Sequence, residues 1–202
     1  MPGKDELALT SIASSPGVAL LIIDMINPLD FDGAEDLLPK VDAVSGVVLR
    51  LRDEADRLRV PVIYVNDNYG HWHSERSRLV DACADGPGAE VVRRLAPRES
   101  DFFVIKPQFS GFYATNLPVL VPQLGVDRLV LTGIAADICV LFTAADAHMR
   151  RYRLWVPADG VASERDEETR WALGVMQKSM QADTRSTDEL NLASWLTDRP
   201  RK

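Results

Sequence analysis

Three residues of different chemical type stand where a reaction would need them. Cys139 offers a thiol nucleophile, Asp24 a carboxylate that can take and return a proton, and Lys106 an ammonium that can hold a neighbouring charge. Asp24 follows the apolar run Val18-Ala-Leu-Leu-Ile-Ile23, and Lys106 closes Phe102-Phe-Val-Ile. Cys139 comes a few residues after Leu129-Val-Leu-Thr132, which stops at Gly133. A lone cysteine is most often a small buried hydrophobe. Three strand-like runs that each lead to an ionisable residue change that reading, because open α/β sheets bind ligands outside the carboxyl ends of their strands.

The elements that must position these residues follow from periodicity. From Ile138 onward apolar residues recur at Leu141, Phe142, Ala145 and Met149, so the segment after Gly133 reads as a turn and then a helix with Cys139 in its first turn. Unpaired N–H groups and the positive end of the helix dipole at that place favour thiolate over thiol. Val18 to Ile23 is apolar throughout, as a central parallel strand covered on both faces should be. A long helical stripe follows at Val41, Val44, Val48, Leu51, Ala55 and Leu58, then a second strand at Val60 to Val65 and a short helical segment near Ala89 to Leu95. After the third strand, Asn116 is placed to cap a helix carrying Leu117, Leu120, Val121 and Leu124. Tyr152 to Val156 reads as a fifth strand, Ser163 with Asp166 as a capping box for a helix carrying Ala172, Val175 and Met176, Ser179 to Asp183 as a short sixth strand, and Asp188 as the start of a last helix. Residues 1 to 16 read as a loosely packed leader and the charged end as a frayed tail. The alternation predicts an α/β fold: three layers, a mostly parallel six-stranded sheet, and helices on both faces.

Composition narrows the function. With 202 residues, 46% of them hydrophobic, the chain suits one domain, residues 1–202, with its core at about 17–185. A net charge of −7 without a basic stripe argues against nucleic acid or an anionic membrane surface as partner, and leaves a small-molecule substrate. The two cysteines, Cys83 and Cys139, make no disulfide framework, the polar start has no hydrophobic signal region, and the apolar runs are too short to span a membrane. A reducing, cytoplasmic location is expected. The loop after the first strand, Asp24-Met-Ile-Asn-Pro28, has no glycine-rich phosphate motif, which argues against nucleotide binding.

Loops at the strand ends supply the candidate pocket. Asn27 and Phe31 follow the first strand, Asn68, Tyr69 and Trp72 the second, and Phe109, Phe112 and Tyr113 the third. Their aromatic and amide character suits a small, flat or partly apolar acyl compound. Asp67, His71 and His73 are side chains of metal-ligating type, but their spacing matches no specific motif, so no metal is expected there.

With these pieces in place, the sequence resembles the isochorismatase-like cysteine hydrolases, among them nicotinamidases, N-carbamoylsarcosine amidases and ureidoacrylate amidohydrolases. The resemblance rests on Leu21-Ile-Ile-Asp-Met25, Val104-Ile-Lys-Pro-Gln-Phe-Ser-Gly-Phe112 and Leu131-Thr-Gly-Ile-Ala-Ala-Asp-Ile-Cys-Val140, in that order, and runs from about Val18 to Asp183. It implies that Asp24 is the general acid/base, Cys139 the nucleophile and Lys106 the charge that holds both in their ionised forms. It also implies a cis peptide between Ile134 and Ala135, with the backbone N–H groups of Ala135 and Cys139 forming an oxyanion hole. Nicotinamidases of this family carry an Asp-x-His metal motif where this chain reads Asp67-Asn68-Tyr69, and members acting on the vinyl ether isochorismate commonly lack the cysteine. Retention of Cys139 points to an amide or ureide bond and needs no cofactor. The rival readings are a vinyl-ether hydrolase, in which Asp24 protonates carbon, and a non-catalytic binding or assembly protein that kept the fold. A homo-oligomer, dimer or tetramer, is the expected assembly, with partner subunits adding walls to the pocket.

Overall fold

The computed structural model describes residues 16–72 and 75–197. The leader read over residues 1 to 16 and the charged tail therefore fall almost wholly outside the described residues. The elements run β1 (Val18–Ile23), α1 (Ala34–Leu58), β2 (Val62–Asp67), α2 (Arg76–Ala82), α3 (Ala89–Arg94), β3 (Phe102–Lys106), α4 (Leu117–Gln123) and β4 (Arg128–Ile134). They continue with a π-helical turn (Ala136–Val140), α5 (Leu141–Met149), β5 (Arg153–Trp155), β6 (Val161–Ala162), α6 (Asp166–Met180) and α7 (Leu192–Thr197). All strand pairs are parallel, in the order β3-β2-β1-β4-β5, with β6 paired to β4 beyond the end of β5.

β1 lies between β2 and β4, and every one of its side chains is buried. Its alternate residues feed two cores. Val18, Leu20 and Ile22 pack with α1, α3 and α7, whereas Ala19, Leu21 and Ile23 pack with α4, the π turn, α5 and α6. Each Leu or Ile so buried contributes about 1.5–3 kcal/mol of transfer free energy, which fixes the register: a one-residue slip would exchange the two sets. At the end of this seam β4 approaches β1 closely. A Cβ on Gly133 would lie 2.0 Å from the Ile23 carbonyl oxygen, and Gly133 has φ +114°, so both space and backbone require glycine there.

Several local expectations are corrected. The sixth strand is Val161–Ala162, not Ser179 to Asp183, because α6 runs on to Met180 and Asp183 makes a single bridge to Trp155. The capping box of α6 is formed by Arg165 and Glu168. Ser163 instead donates to Asp137, and Asp166 pairs with Lys40 at 2.8 Å. At α4 the cap is one residue earlier than expected, since Thr115 Oγ1, not the Asn116 side chain, accepts the Leu117 N–H at 3.1 Å.

The largest reversal is the orientation of the helix after β4. Ile138, Phe142 and Met149 of the expected core stripe are exposed, while Ala136, Val140, Thr143, Ala144 and Ala147 face the interior. Small side chains let this helix sit close to the sheet and to α6, and the larger apolar residues are left outside. Among the described residues no helix is long and apolar enough to cross a membrane.

Candidate active site

The carboxyl ends of the parallel strands bring Asp24, Lys106 and Cys139 together. Asp24 is the first residue after β1, held at φ +51° with its N–H donating to the Val65 carbonyl at 3.0 Å. Lys106 is the last residue of β3 and fully buried. Its Nζ lies 2.9 Å from Asp24 Oδ2, 3.1 Å from Asp67 Oδ2 and 3.4 Å from Cys139 Sγ. An ammonium has three N–H bonds, so each here has one acceptor. Cys139 is half-buried in the π turn, and a side-chain hydrogen bond joins its thiol to Asp24. The Ile134–Ala135 peptide is cis. Ala135 N-caps the turn in extended conformation, and its carbonyl accepts from the N–H groups of Ile138 and Val140 at 3.2 and 3.1 Å.

Asp67 is the member that sequence reasoning did not place. Strand pairing sets Asp67 directly beside Lys106 across the β2–β3 ladder. Its N–H donates to Asp24 Oδ1 at 2.7 Å while its own Oδ1 accepts from the Tyr69 N–H at 2.8 Å. A β2 that ends at Val65 places Asp67 in a loop. The strand instead runs Val62–Asp67, two residues later, and that shift puts Asp67 on the ladder beside Lys106. It was considered as a metal ligand with His71 and His73. Here its carboxylate faces Lys106, His71 is exposed, and His73 lies outside the described residues.

Burial and charge act in opposite directions in this cluster. Burial raises the Asp24 carboxyl above the usual carboxylate range, against the pull of Lys106 and of the hydrogen bonds from Cys139, Lys106 and Asp67. Burial alone would lower Lys106, but Asp24, Cys139 and Asp67 together raise it, so it stays an ammonium. Burial, then Asp24, push the Cys139 thiol well up against the opposing effect of Lys106. Burial and the carboxylate beside the sulfur thus act against the thiolate that the start of the helix favours, and the ammonium acts for it.

The loop residues expected to line a pocket divide into three groups. Asn27 and Asn68 are buried, and their Oδ1 atoms accept the N–H groups of Leu29 and Gly70 at 2.9 Å each, fixing turns in the loops beside the cluster. Tyr69 is half-buried and donates its hydroxyl to the Ile26 carbonyl at 2.8 Å, the same carbonyl that Asn66 Nδ2 reaches at 2.9 Å. Phe31, Trp72, Phe109 and Tyr113 are exposed, and Phe109, Tyr113 and Phe142 line a shallow groove of about 390 Å³ with Gln108, Ser110 and Asp146. Phe112 is 3% exposed and stacks on Tyr152, with the Arg150 guanidinium 4.9 Å from its ring. It belongs to the core, not to a pocket wall. Gly111 explains this: its N–H donates to Thr143 Oγ1 at 2.9 Å and pins the loop to α5, which turns the next side chain inward.

Comparison with known proteins agrees with this geometry. The Isochorismatase domain model matches residues 18–189. An uncharacterised isochorismatase family protein of Bacillus subtilis, YaaI, is 38% identical over 172 residues, covering 85% of this chain and 95% of that one. The isochorismatase of the same organism is 29% identical over 180 residues, which is 86% of this chain but 58% of that longer protein. The crystal structure of N-carbamoylsarcosine amidase from Thermoplasma acidophilum superimposes with a TM-score of 0.67 at 30% identity, covering 86% of this chain and 98% of the other. A parallel sheet of this order, the buried carboxylate and ammonium at its strand ends, and a domain match over nearly the whole described chain lead to one assignment: the chain belongs to the isochorismatase family of hydrolases.

Proposed function

We propose that the chain is a cysteine hydrolase that cleaves an amide or ureide C–N bond of a small molecule through a Cys139 thioester. The observation that carries the reading is the fully buried Lys106 ammonium in simultaneous reach of the Asp24 carboxylate and the Cys139 sulfur, with the thiol hydrogen-bonded to Asp24. As Cys139 Sγ attacks the carbonyl carbon, its proton passes to Asp24, whose raised affinity for a proton suits that step. The carbonyl π electrons move to oxygen, where the backbone N–H groups of Ala135 and Cys139 act as donors. Each such donor is worth about 2.7–4 kcal/mol. Collapse of the tetrahedral species breaks the C–N bond, and Asp24 returns its proton to the leaving nitrogen. Water then adds to the thioester with Asp24 again taking a proton, the C–S bond breaks, and acid and thiol are released. Lys106 stays charged throughout and offsets the negative charge that moves between Asp24 and sulfur. No cofactor enters this sequence of steps. Asn27, Phe31, Asn68, Tyr69, Trp72, Phe109 and Tyr113 border the approach in this reading.

The kinship to an isochorismatase supports a second reading, in which protonated Asp24 delivers its proton to a vinyl-ether carbon and Cys139 is a bystander. A panel of primary amides, ureides and isochorismate, run with the parent chain and Cys139→Ala, separates the two. Ammonia or amine release that disappears in Cys139→Ala supports the thioester route. Isochorismate turnover that is undiminished in Cys139→Ala replaces it with the vinyl-ether reading. If no member of the panel is turned over by the parent chain, the hydrolase proposal fails for these substrate classes.

A further inference from the structure

Four ionisable groups meet at the strand ends, and they are not equally open to an approaching molecule. Lys106 is fully covered and the Asp24 side chain is 6% exposed, whereas the Asp67 side chain is 30% exposed and Cys139 is half-buried. A molecule that reaches the sulfur therefore meets a carboxylate as the open charge of the cluster. The sum of the cluster has the same sign. Two carboxylates, one ammonium and a protonated thiol leave it at −1. Among the described residues, Lys106 is the cation that acts on both Asp24 and Cys139, and its three N–H bonds already point at Asp24, Asp67 and Cys139, so none is free to receive a substrate carboxylate.

We propose that Asp67 selects the substrate by charge, admitting neutral or cationic acyl compounds that carry N–H donors and turning away those with a carboxylate near the scissile bond. This deepens the amidohydrolase reading and rests on it for the word substrate. The carboxylate is well placed for the task. Its Oδ1 takes the Tyr69 N–H and its Oδ2 takes Lys106, and each oxygen keeps a second lone-pair direction for an N–H of the ligand. Its position is set by the backbone, because the Asp67 N–H is bonded to Asp24 and its Cα is paired with that of Lys106. The selecting charge is thus tied to the reacting groups and does not swing with a loop.

The test uses two alkylating reagents of nearly equal size, neutral iodoacetamide and anionic iodoacetate, each of which forms an S–CH2 bond at Cys139 as iodide leaves. Rates at Cys139 are followed by mass spectrometry near pH 7 and expressed as the iodoacetamide-to-iodoacetate ratio, normalised to the same ratio for a small free thiol. The parent chain is expected to favour iodoacetamide by about tenfold beyond the free thiol. Asp67→Asn should lose most of that preference and Asp67→Glu should keep it. A role confined to holding Lys106 in place would change both rates together and leave the ratio unmoved. Raising the salt concentration on the parent chain gives a second reading that needs no variant: the iodoacetate rate should climb while the iodoacetamide rate stays level. Equal ratios in the parent chain and Asp67→Asn, a ratio insensitive to salt, or a Cys139 that neither reagent reaches would each overturn the proposal. Ammonia release from neutral amides is measured on the same preparations. A chain that excludes iodoacetate but hydrolyses no amide keeps the charge filter and loses the amidohydrolase reading, so the two failures are distinct.

Discussion

The two ends of the sheet make an instructive contrast. At the carboxyl ends, Asp24, Lys106, Asp67 and Cys139 form a tight cluster. Beside the amino end of β5 lies a groove of about 730 Å³, lined by His148, Met149, Arg151, Tyr152, Arg153, Met180, Asp183 and Trp195 among others. That groove also carries ionisable groups, differently arranged: Arg153 lies 5.1 Å from the Trp195 ring, and Asp183 pairs with Arg185. Burial would raise the Asp183 carboxyl, but the hydrogen bonds from Arg185 hold it below the usual carboxylate range. At the other end burial raises Asp24 and the Cys139 thiol against the pull of Lys106, while Asp24, Cys139 and Asp67 raise Lys106 against burial. What distinguishes the carboxyl-end cluster is desolvated charge next to a cysteine sulfur.

Substitutions at each end sharpen or break that contrast. The largest effect is expected for Asp24→Asn, which keeps shape but removes the proton acceptor. Turnover of whichever amide the parent chain accepts should fall by about 10²–10⁴, and a loss of less than fivefold would remove Asp24 from the mechanism. The same carboxyl sets the pH dependence. Asp24 must be ionised to accept the thiol proton, and burial raises its pKa, so kcat/KM should climb with pH along a limb that lies above the usual carboxylate range. Lys106, raised in its turn, keeps its proton across the neutral range and contributes no fall there. A limb at the position of an ordinary solvated aspartate would show that the site is wet.

Next in size is Lys106→Met, which leaves two carboxylates facing each other without their cation. Removing one partner from a buried ion cluster costs about 3–5 kcal/mol, to be read from urea denaturation near neutral pH. Ser163→Ala should be milder. Its buried hydroxyl donates to Asp137 at 2.6 Å in the π turn that carries Cys139, and the unpaired carboxylate oxygen left behind should cost about 1–3 kcal/mol. At the other end, Met149→Ser removes a side chain that is 71% exposed on the groove rim, and both stability and turnover should hold within about 0.5 kcal/mol. A large effect of Met149→Ser on turnover would mean that the two ends are coupled, and the contrast would fail.

Much of this arrangement was legible in the sequence for a physical reason. A parallel strand covered on both faces must be apolar at every position, so β1 and β4 stand out as unbroken runs, and whatever follows them lies at the ligand-binding edge. Asp24, Lys106 and the Cys139 segment were found in that way. The helix after β4 was read on the wrong face, because a search for large apolar residues at helical spacing finds Ile138, Phe142 and Met149, while the true contact is made by alanines whose value is their small volume. Asp67 was missed because its importance comes from pairing with β3, a partner nearly forty positions away that no local pattern records. Phe112 was misplaced because a loop rich in aromatics does not reveal which ring is turned inward. That choice is made by the bond from Gly111 to Thr143.

The seam at Gly133 bears on how this protein could be adapted to new substrates. Any side chain there would collide with the Ile23 carbonyl one residue before Asp24, so a library randomised at that position would return glycine almost alone. The floor of the site is thus closed to evolutionary exploration. Phe31, Trp72, Phe109 and Tyr113, by contrast, are exposed and free to vary. If the proposed hydrolase reading holds, changes of specificity should accumulate at those exposed positions, while the backbone beneath Asp24 has little freedom to move.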